Sequence, residues 1–369
     1  MGYPIVLMSV LAATLSLGAA ERKFGVFIDA GSRSGGAIEW VRLATYARPA
    51  AEVVLLDGAD VKAGRLEGLD LLIMPGGSSP VQTKRLGEEG REQIRRYLRN
   101  GGHYLGSCAG LSILQNAPGL IGIVPYAKRE PELRAGDATL PFEITAEGAN
   151  RLGVKAGNRI FCYHSGPQLV PHGEVPDCTG LEVIARFAGS VDQFGRGTPP
   201  LKGLPAGFFG HYGKGTFIST AFHPEYFPTT WDFVASSMGA LTGVKTEMAF
   251  PRKNPRAIKV VHYSIVTAGK ADARAAMELS DDPDIALFPI SDNCIDDGFL
   301  ELADVIVVPG GEDWQSAKFL PARASELKAF LARGGRIVTY GDSARYVPAG
   351  ATVLASGEGI AAAVKGLYK

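Results

Sequence analysis

The stretch Gly68-Leu-Asp-Leu-Leu-Ile-Met-Pro-Gly-Gly77 decides the fold class of this chain. Its apolar centre has the length and composition of a buried strand, and the proline and two glycines end that strand in a turn. Two similar apolar runs precede it, at Phe24–Ile28 and Val53–Leu56. The segment between them, Ala37–Ala47, has the spacing of a helix. Such an alternation of strand and helix predicts a parallel sheet with helices outside.

The same pattern continues towards the middle of the chain. It predicts a helix over Glu88–Asn100 that ends at the glycine pair Gly101-Gly102, followed at once by a strand over His103–Gly106. Between Gly119 and Leu201 the pattern is looser and indicates hairpins and long loops. Regular structure returns with a strand over Thr216–Phe222, and a final helix ends this half near Met238–Leu241.

The sequence also indicates an internal duplication. Gly68–Gly77 matches Leu302–Gly311 in pattern, and Arg95–Gly102 matches Lys328–Gly335. At the position equivalent to Cys108 the second copy has Asp342, or Gly341 if one gap is allowed. We therefore expect the second half to be a smaller, degenerate copy without a nucleophile and with a structural role.

The amino terminus has the features of a secretory signal peptide. An apolar run over Ile5–Leu17 is too short for a comfortable membrane-spanning helix and is followed by the small residues Gly18 and Ala20. No Lys or Arg precedes the run, which leaves an uncleaved anchor or a misread start as alternatives. We predict a periplasmic or secreted protein with no membrane span after cleavage. The predicted division is a signal peptide at 1–20, a catalytic domain at 21–249, a linker at 250–256 and the degenerate domain at 257–369.

Composition excludes several classes of function. Lys plus Arg and Asp plus Glu each number 38, so no net charge favours nucleic acid or an anionic membrane. Four cysteines are too few for a disulfide framework, and the absence of a C-x-x-C pair argues against a zinc site. Cys162 and Cys178 are read either as a bridge or as two small buried side chains. We expect neither a metal nor an organic cofactor.

The segment Tyr104-Leu-Gly-Ser-Cys-Ala-Gly-Leu111 places a cysteine between a strand and a helix, among small residues. This is the pattern of a nucleophile elbow, in which the turn exposes the nucleophile at the carboxyl edge of a sheet. We predict Cys108 as the nucleophile and the backbone N–H of Ala109 as an oxyanion donor. A second backbone donor is expected from Gly76 or Gly77. The alternative is that Cys108 is a buried small side chain in an inactive scaffold.

The predicted strand over Thr216–Phe222 leads directly into His223-Pro-Glu225. A cysteine nucleophile needs a base that takes its proton and returns it to the leaving amine, and His223 suits this role. In an extended segment, residues two apart point to the same side, so Glu225 can hold the imidazole in one tautomer. Without the elbow cysteine, a structural histidine would be the default interpretation of His223, and the alternative for Glu225 is a solvated carboxylate.

In combination, Pro-Gly-Gly, Gly-x-Cys-Ala-Gly and His-Pro-Glu resemble a class I glutamine amidotransferase-like domain. More narrowly, three further segments resemble the amidotransferase-like domain at the amino terminus of some biotin-protein ligases; they are Leu120–Tyr126, Tyr163–Pro167 and Tyr212–Gly215. The resemblance covers roughly Lys23 to Leu241. It implies a flavodoxin-like three-layer α/β sandwich and a triad of Cys108, His223 and Glu225.

One departure from this family bears on the substrate. Glutamine amidotransferases usually carry a glutamine four positions after the nucleophile, where this chain has Ser112. Together with the predicted export, this favours hydrolysis of a small-molecule or peptide amide through a thioester. A silent binding scaffold and a glutaminase subunit with a synthase partner are the alternatives, and the sequence names no protein partner. Residues assigned to substrate binding are Ser78, Ser112, Tyr163, His164 and Ser165, although the last three could equally form a hydrogen-bonded loop corner.

Overall fold

The structure is a computed structural model that describes residues 22–32, 34–130, 135–263, 269–290, 295, 298–310 and 313–368. The predicted signal peptide, Cys294 and Gly311 lie outside these ranges. Within them, no helix combines the length and the apolar composition that crossing a membrane requires.

The first half is built on a nine-stranded mixed sheet. The strands of this half are β1 (Arg22–Phe27), β2 (Ala47–Arg48), β3 (Ala51–Leu56), β4 (Leu71–Met74), β5 (His103–Ser107), β6 (Tyr126–Lys128), β7 (Asp137–Ile144), β8 (Gly157–His164), β9 (Leu169–Pro171), β10 (Cys178–Phe187), β11 (Pro205–Tyr212), β12 (Gly215–Thr220) and β13 (Glu247–Met248). Two pairs of these strands, β2 with β13 and β6 with β9, form short ribbons outside the nine-stranded sheet. The helices are α1 (Ser34–Tyr46), α2 (Gly58–Lys62), α3 (Ser79–Arg99), α4 (Ala109–Ser112), α5 (Ala146–Leu152) and α6 (Trp231–Thr242).

Strand order places the candidate site at one edge of this sheet. The order is β3-β1-β4-β5-β12-β11-β10-β7-β8, of which the first five strands are parallel. The Pro-Gly-Gly turn follows β4, Cys108 follows β5 and the His-Pro-Glu segment comes shortly after β12. Because these strands are parallel neighbours, all three motifs meet at the carboxyl edge of the sheet, where α/β proteins usually bind their ligands.

The predicted elements are found, with different bounds at several helices. The helix expected over Glu88–Asn100 is the second part of α3, which starts earlier and kinks at Gly87, where φ is 61°. In the segment where we expected hairpins, β10, β7 and β8 extend the sheet in that order, and each strand is antiparallel to its neighbour. Local periodicity did not reveal them because Pro and Gly residues interrupt the pattern.

The second half repeats the topology of the first. Its elements are β14 (Ile258–Tyr263), β15 (Ile285–Ile290), β16 (Val305–Val308), β17 (Arg336–Tyr340) and β18 (Thr352–Leu354), with α7 (Lys270–Asp281), α8 (Asp313–Phe319), α9 (Ala324–Ala332) and α10 (Ile360–Gly366). The five strands are parallel in the order β15-β14-β16-β17-β18. This is the order of the parallel part of the first sheet and the flavodoxin-like 2-1-3-4-5 arrangement. The predicted fold class, a flavodoxin-like sandwich followed by a smaller copy, is confirmed.

The two halves pack through helices α1 and α7. Arg42 donates from Nε to Ser280 Oγ at 2.9 Å, and the Tyr46 hydroxyl donates to Asp281 Oδ1 at 2.6 Å. Lys270 bridges to Asp57 at 2.7 Å. One continuous cluster of buried apolar side chains includes members of both sheets. The main apolar core thus contains side chains from both sides of the predicted linker. The predicted domain boundaries stay a prediction.

A buried carboxyl at the start of α7 gives the second half a specific pH dependence. Asp272 is 3% exposed and accepts a hydrogen bond from the backbone N–H of Gly269 at 3.3 Å. Burial raises the pKa of Asp272 to about 7. The folded state therefore holds a proton that the unfolded state releases, so this contribution to stability is full below the ordinary pKa near 4 and is lost as the pH rises through 7.

We expect Asp272→Asn, which mimics the protonated carboxyl, to remove most of this loss. The difference in unfolding free energy between pH 5 and pH 8 should shrink by about 1–3 kcal/mol. Urea titrations at the two pH values measure it, with Asp342→Asn as the control because that side chain is 45% exposed. An unchanged difference between the two pH values in Asp272→Asn would contradict the assignment.

Candidate active site

Cys108 occupies a strained turn between β5 and α4. Its φ is 51° and its ψ is −104°. Positive φ is rare outside glycine, and in the described ranges only Cys108 and Ser165 among the other residue types show it. Strain of this kind persists where the surrounding structure fixes it and is common at active sites. The Cys108 side chain is 6% exposed, and its thiol donates to the carbonyl of His164 at 3.7 Å.

Small residues around Cys108 make the turn possible. A β-carbon on Gly110 would clash with the carbonyl of Met74, and one on Gly106 would lie 2.6 Å from Ser219 Oγ. The elbow is therefore wedged between β4 and β12 with no room for larger side chains. The helix behind it, α4, is a single turn, so its dipole contributes little to the stabilisation of a thiolate at Cys108.

His223 and Glu225 form a fully buried pair beside the elbow. His223 Nδ1 is 2.7 Å from Glu225 Oε1, and both side chains have no exposed area. This contact engages Nδ1 and leaves Nε2 to exchange a proton with a nucleophile. The segment is held in place because His223 N donates to Cys162 O at 2.9 Å and Trp231 Nε1 donates to Glu225 O at 2.8 Å.

The position of Gly76 shows that Cys108 and His223 are neighbours. A β-carbon on Gly76 would lie 3.0 Å from Cys108 Cβ and closer still to His223 Cε1. The glycine loop, the thiol and the imidazole therefore share one small space. Residues from three separate parts of the chain thus meet in one place.

The environment of His223 favours the imidazolium. Burial alone lowers its pKa, but the negative charges of Glu225 and the Cys108 thiolate, with their hydrogen bonds, raise the pKa of His223 to about 10. An imidazolium beside a thiol favours the thiolate form of that thiol.

Ser107 is a positioning residue that the sequence did not single out. Its hydroxyl donates to Glu225 Oε1 at 3.2 Å and accepts a hydrogen bond from Trp40 Nε1 at 3.1 Å. All three side chains are completely buried. Its contacts join positions far apart in the chain, so the sequence does not reveal them. The only sequence feature that points to Ser107 is its place directly before Cys108.

We expect Ser107→Ala to cost about 1–3 kcal/mol of unfolding free energy, since it leaves the Trp40 N–H and the Glu225 carboxylate without this partner. Cys108 alkylation should also slow, because Glu225 loses one of its constraints. Chemical denaturation and iodoacetamide labelling measure the two effects. Ser219→Ala is the matched control, as this buried serine on β12 has no hydrogen-bond partner among the described residues. Equal behaviour of the two variants would contradict the role of Ser107.

The glycine loop after β4 is fixed from two sides. Gln82 is fully buried and donates from Nε2 to Pro75 O at 3.0 Å, and Ser78 N donates to Gly31 O at 2.7 Å. Gly77 has a φ of 144° and pairs with Ser32. Because the Ser78 N–H is already engaged, the N–H groups of the loop glycines and of Ala109, which starts a helix, are the better candidates for oxyanion donors.

The remaining predicted residues separate into two groups. His164 lies at the site, since its ring is 5.0 Å from the His223 ring, whereas Ser165 Oγ forms hydrogen bonds with the backbone of Gly136, as a loop corner would. Tyr163 instead points into the core, where its hydroxyl donates to Gly166 O at 2.9 Å. Ser112 is buried at the end of α4, and Ser78 is exposed before α3.

A buried ion pair lies behind the triad and connects it to the second half. Glu39 and Arg42 on α1 pair at 2.5 Å, and Arg42 also contacts Ser280 of α7. Burial raises the pKa of Glu39, Arg42 opposes that rise and the charge of Glu225 adds to it. Glu39 and Glu225 are thus close enough to repel each other, and Arg42 offsets part of that repulsion.

The described ranges contain three of the four cysteines of this chain. There, none of Cys108, Cys162 and Cys178 forms a disulfide, and no group of three or more His, Cys, Asp or Glu side chains is arranged to hold a metal. Strand β7 lies between the strands that carry Cys162 and Cys178. Two strand spacings amount to roughly 9–10 Å, beyond the reach of a disulfide.

Several known proteins are similar to the part of the chain that contains this site. The family model described as biotin-protein ligase, N terminal, matches residues 66–112, which contain the glycine loop and Cys108. Pyridoxal 5'-phosphate synthase subunit PdxT of Corynebacterium jeikeium is 29% identical over 165 residues, which are 44% of this chain and 74% of that protein. The same subunit of a Roseiflexus species is 27% identical over 164 residues, 44% of this chain and 76% of that protein.

Solved structures with a similar fold include a glutamine amidotransferase, at 21% identity and a TM-score of 0.41, covering 60% of this chain and 99% of that one. Another is a ThuA-like protein from Bacteroides uniformis, at 13% identity and a TM-score of 0.43, covering 65% of this chain and 95% of that one. The fold and relatives suggest amide hydrolysis or glutaminase-type activity in general terms. These similarities support the resemblance of this chain to the class I glutamine amidotransferase-like family and to the amino-terminal domain of biotin-protein ligases.

Proposed function

We propose that the chain is a cysteine-dependent hydrolase of a C–N amide bond that acts through Cys108, His223 and Glu225. The observation that carries the proposal is the convergence of a strained cysteine with a buried His223–Glu225 pair, 2.7 Å apart, at the carboxyl edge of the sheet. A thiolate beside an imidazolium is a strong nucleophile, and a buried carboxylate keeps the imidazole oriented.

In the first step, Cys108 Sγ attacks the amide carbonyl carbon and forms a C–S bond. The negative charge on the carbonyl oxygen is stabilised by backbone N–H groups of Ala109 and the glycine loop. The C–N bond breaks as His223 delivers its proton to the leaving nitrogen. In the second step, water gives a proton to His223 and attacks the thioester, the C–S bond breaks, and the acid and the thiol are released.

Detection of an acyl adduct on Cys108 is the experiment that tests this proposal. We expect wild-type protein mixed with pooled amides and small peptides, then quenched in acid, to carry an acyl mass on the Cys108 peptide. The Cys108→Ser variant should carry no thioester, and the Cys178 peptide of the same digest serves as an internal control. Absence of any adduct, combined with Cys108 alkylation no faster than that of an unactivated thiol, would favour the silent binding scaffold.

A glutaminase subunit is the second candidate, favoured by the similarity to curated proteins that are named as synthase subunits. Against it, Ser112 stands where glutamine amidotransferases usually carry glutamine. Ammonia release from L-glutamine separates the two candidates. We expect other amides to be hydrolysed faster than glutamine by the isolated chain, whereas a preference for glutamine would support the subunit.

We also propose that the protein acts in the periplasm or is secreted. The apolar run over residues 5–17 supports this, as does the small-residue segment after it. Mass spectrometry of the protein isolated from its own cells should find a mature amino terminus near residue 21. An intact Met1 in the cytoplasmic fraction would overturn the proposal and revive the glutaminase subunit.

A further inference from the structure

A second thiol lies beside the triad in the same kind of arrangement. Cys162 and His164 are two apart on β8, so they share the face opposite to Phe161 and Tyr163, which are buried in the core. Cys162 Sγ is 3.0 Å from His164 Nε2. His164 Nδ1 is 3.4 Å from Oδ1 of Asp137, its direct partner across the β7–β8 ladder.

Thiol, imidazole and carboxylate therefore follow one another in the same order as at Cys108, and the contact between imidazole and carboxylate is longer here, at 3.4 Å compared with 2.7 Å for His223 and Glu225. Cys162 also meets the two conditions for a reactive thiol, since it is only partly buried and a histidine contacts its sulfur. Neither Cys162 nor Asp137 takes part in the amide mechanism described above.

This second group is in direct contact with the first. The rings of His164 and His223 are 5.0 Å apart in an edge-to-face arrangement, and the backbone of Cys162 accepts the His223 N–H at 2.9 Å. The carbonyl of His164 in turn accepts the Cys108 thiol. A group attached to Cys162 would therefore lie next to the amide site.

Cys178 provides the contrast within the same sheet. It lies at the start of β10 and is also partly buried. Burial raises the pKa of its thiol to about 11, so it is almost entirely protonated at neutral pH. Two cysteines of similar exposure thus differ in whether an imidazole contacts the sulfur.

We propose that Cys162 is a second reactive thiol, activated by His164 and Asp137, and that it is a modification site for low-molecular-weight disulfides. The Cys162 thiolate attacks one sulfur of the disulfide, a new S–S bond forms, and the disulfide's own S–S bond breaks. The departing thiolate takes the proton of the His164 imidazolium. One thiol and one disulfide are consumed and one of each is produced, so the exchange needs no further oxidant.

The test uses the full chain with Cys108→Ser and Cys294→Ser, which leaves Cys162 and Cys178 as its thiols. Glutathione disulfide at neutral pH is the probe, and mass spectrometry of digested samples follows each cysteine over time. We expect Cys162 to be modified at least about tenfold faster than Cys178. Because Cys108 is absent, the result is independent of the amide hydrolase proposal.

His164→Gln in the same background should slow modification of Cys162 about tenfold, and Asp137→Asn should slow it less. The Cys178 rate reports on the fold, because opening of the sheet would accelerate it. Cys162 reacting no faster than Cys178 in the parent would overturn the proposal, and that comparison requires no change at His164. An unchanged Cys162 rate in a folded His164→Gln variant would overturn it as well.

Discussion

Replacing His223 with alanine is expected to lower amide turnover by about a thousandfold, the range that a positioned general acid–base contributes. The same change should remove the enhanced reactivity of Cys108 towards iodoacetamide. Both effects follow from the position of the imidazole, which Glu225 holds at 2.7 Å and which adjoins Cys108 across Gly76. An ordinary thiol with a pKa of about 8.5 is only a few per cent thiolate at neutral pH.

The pH dependence gives the sharper readout. With the pKa of His223 raised to about 10, the imidazolium and the thiolate coexist across neutral pH, so wild-type alkylation should be nearly flat from about pH 6 to 9. In His223→Ala the rate should instead climb through the ordinary thiol pKa. His223 in its charged form also stabilises the fold, and this contribution is complete below pH 6.5 and is lost as the pH rises through 10.

His211→Ala is the matched control for this experiment. His211 lies on β11 opposite Thr216, the second residue of β12, and so near the edge of the sheet away from Cys108. Its replacement should leave both the rate and the pH profile of Cys108 alkylation unchanged. Indistinguishable profiles for wild type and His223→Ala would remove the basis for the triad.

Gly76→Ala is expected to lower turnover about a hundredfold, the loss that follows from misplacing reacting groups by about 1 Å. The added methyl would lie 3.0 Å from Cys108 Cβ and closer to His223 Cε1, and neither group can retreat from its buried position. The substitution therefore separates the thiol from the imidazole without removing either. Turnover assays and Cys108 alkylation measure the effect.

The control for the glycine change is Gly366→Ala near the end of α10. No atom lies within 4 Å of a β-carbon built at that position, and its backbone does not require glycine. It should preserve turnover and stability. If Gly76→Ala were equally active, the space shared by the loop, Cys108 and His223 would be wider than the structure shows.

How far the sequence predicts this protein depends on whether a feature is local. Cys108, His223 and Glu225 can be proposed from the sequence because each lies in a short motif at the end of an apolar strand. The sequence also predicts the repeat, since the two copies share the pattern of strand, Pro-Gly-Gly and glycine-terminated helix. Both features depend on neighbours in the chain, which periodicity and turn chemistry describe.

Contacts between segments that are distant in the chain could not be predicted from these local patterns. Ser107 matters through Trp40 and Glu225, and Asp137 through its register with His164 across two strands. Nothing in the segment around Asp137 marks it as different from a solvated carboxylate. Tyr163 was singled out with its polar neighbours, yet the alternation of β8 turns it into the aromatic core. Register and pairing decide these positions, and neither is visible in one strand alone.

The apolar cluster that runs through both sheets also determines how the molecule comes apart. A chain cut at residue 250 would expose the α1 surface that α7 covers, and it would leave Arg42 without Ser280. The amino-terminal part alone is therefore expected to aggregate instead of behaving as a miniature enzyme. The intact protein should melt in one calorimetric transition, because the second half covers apolar surface of the first half in the folded state.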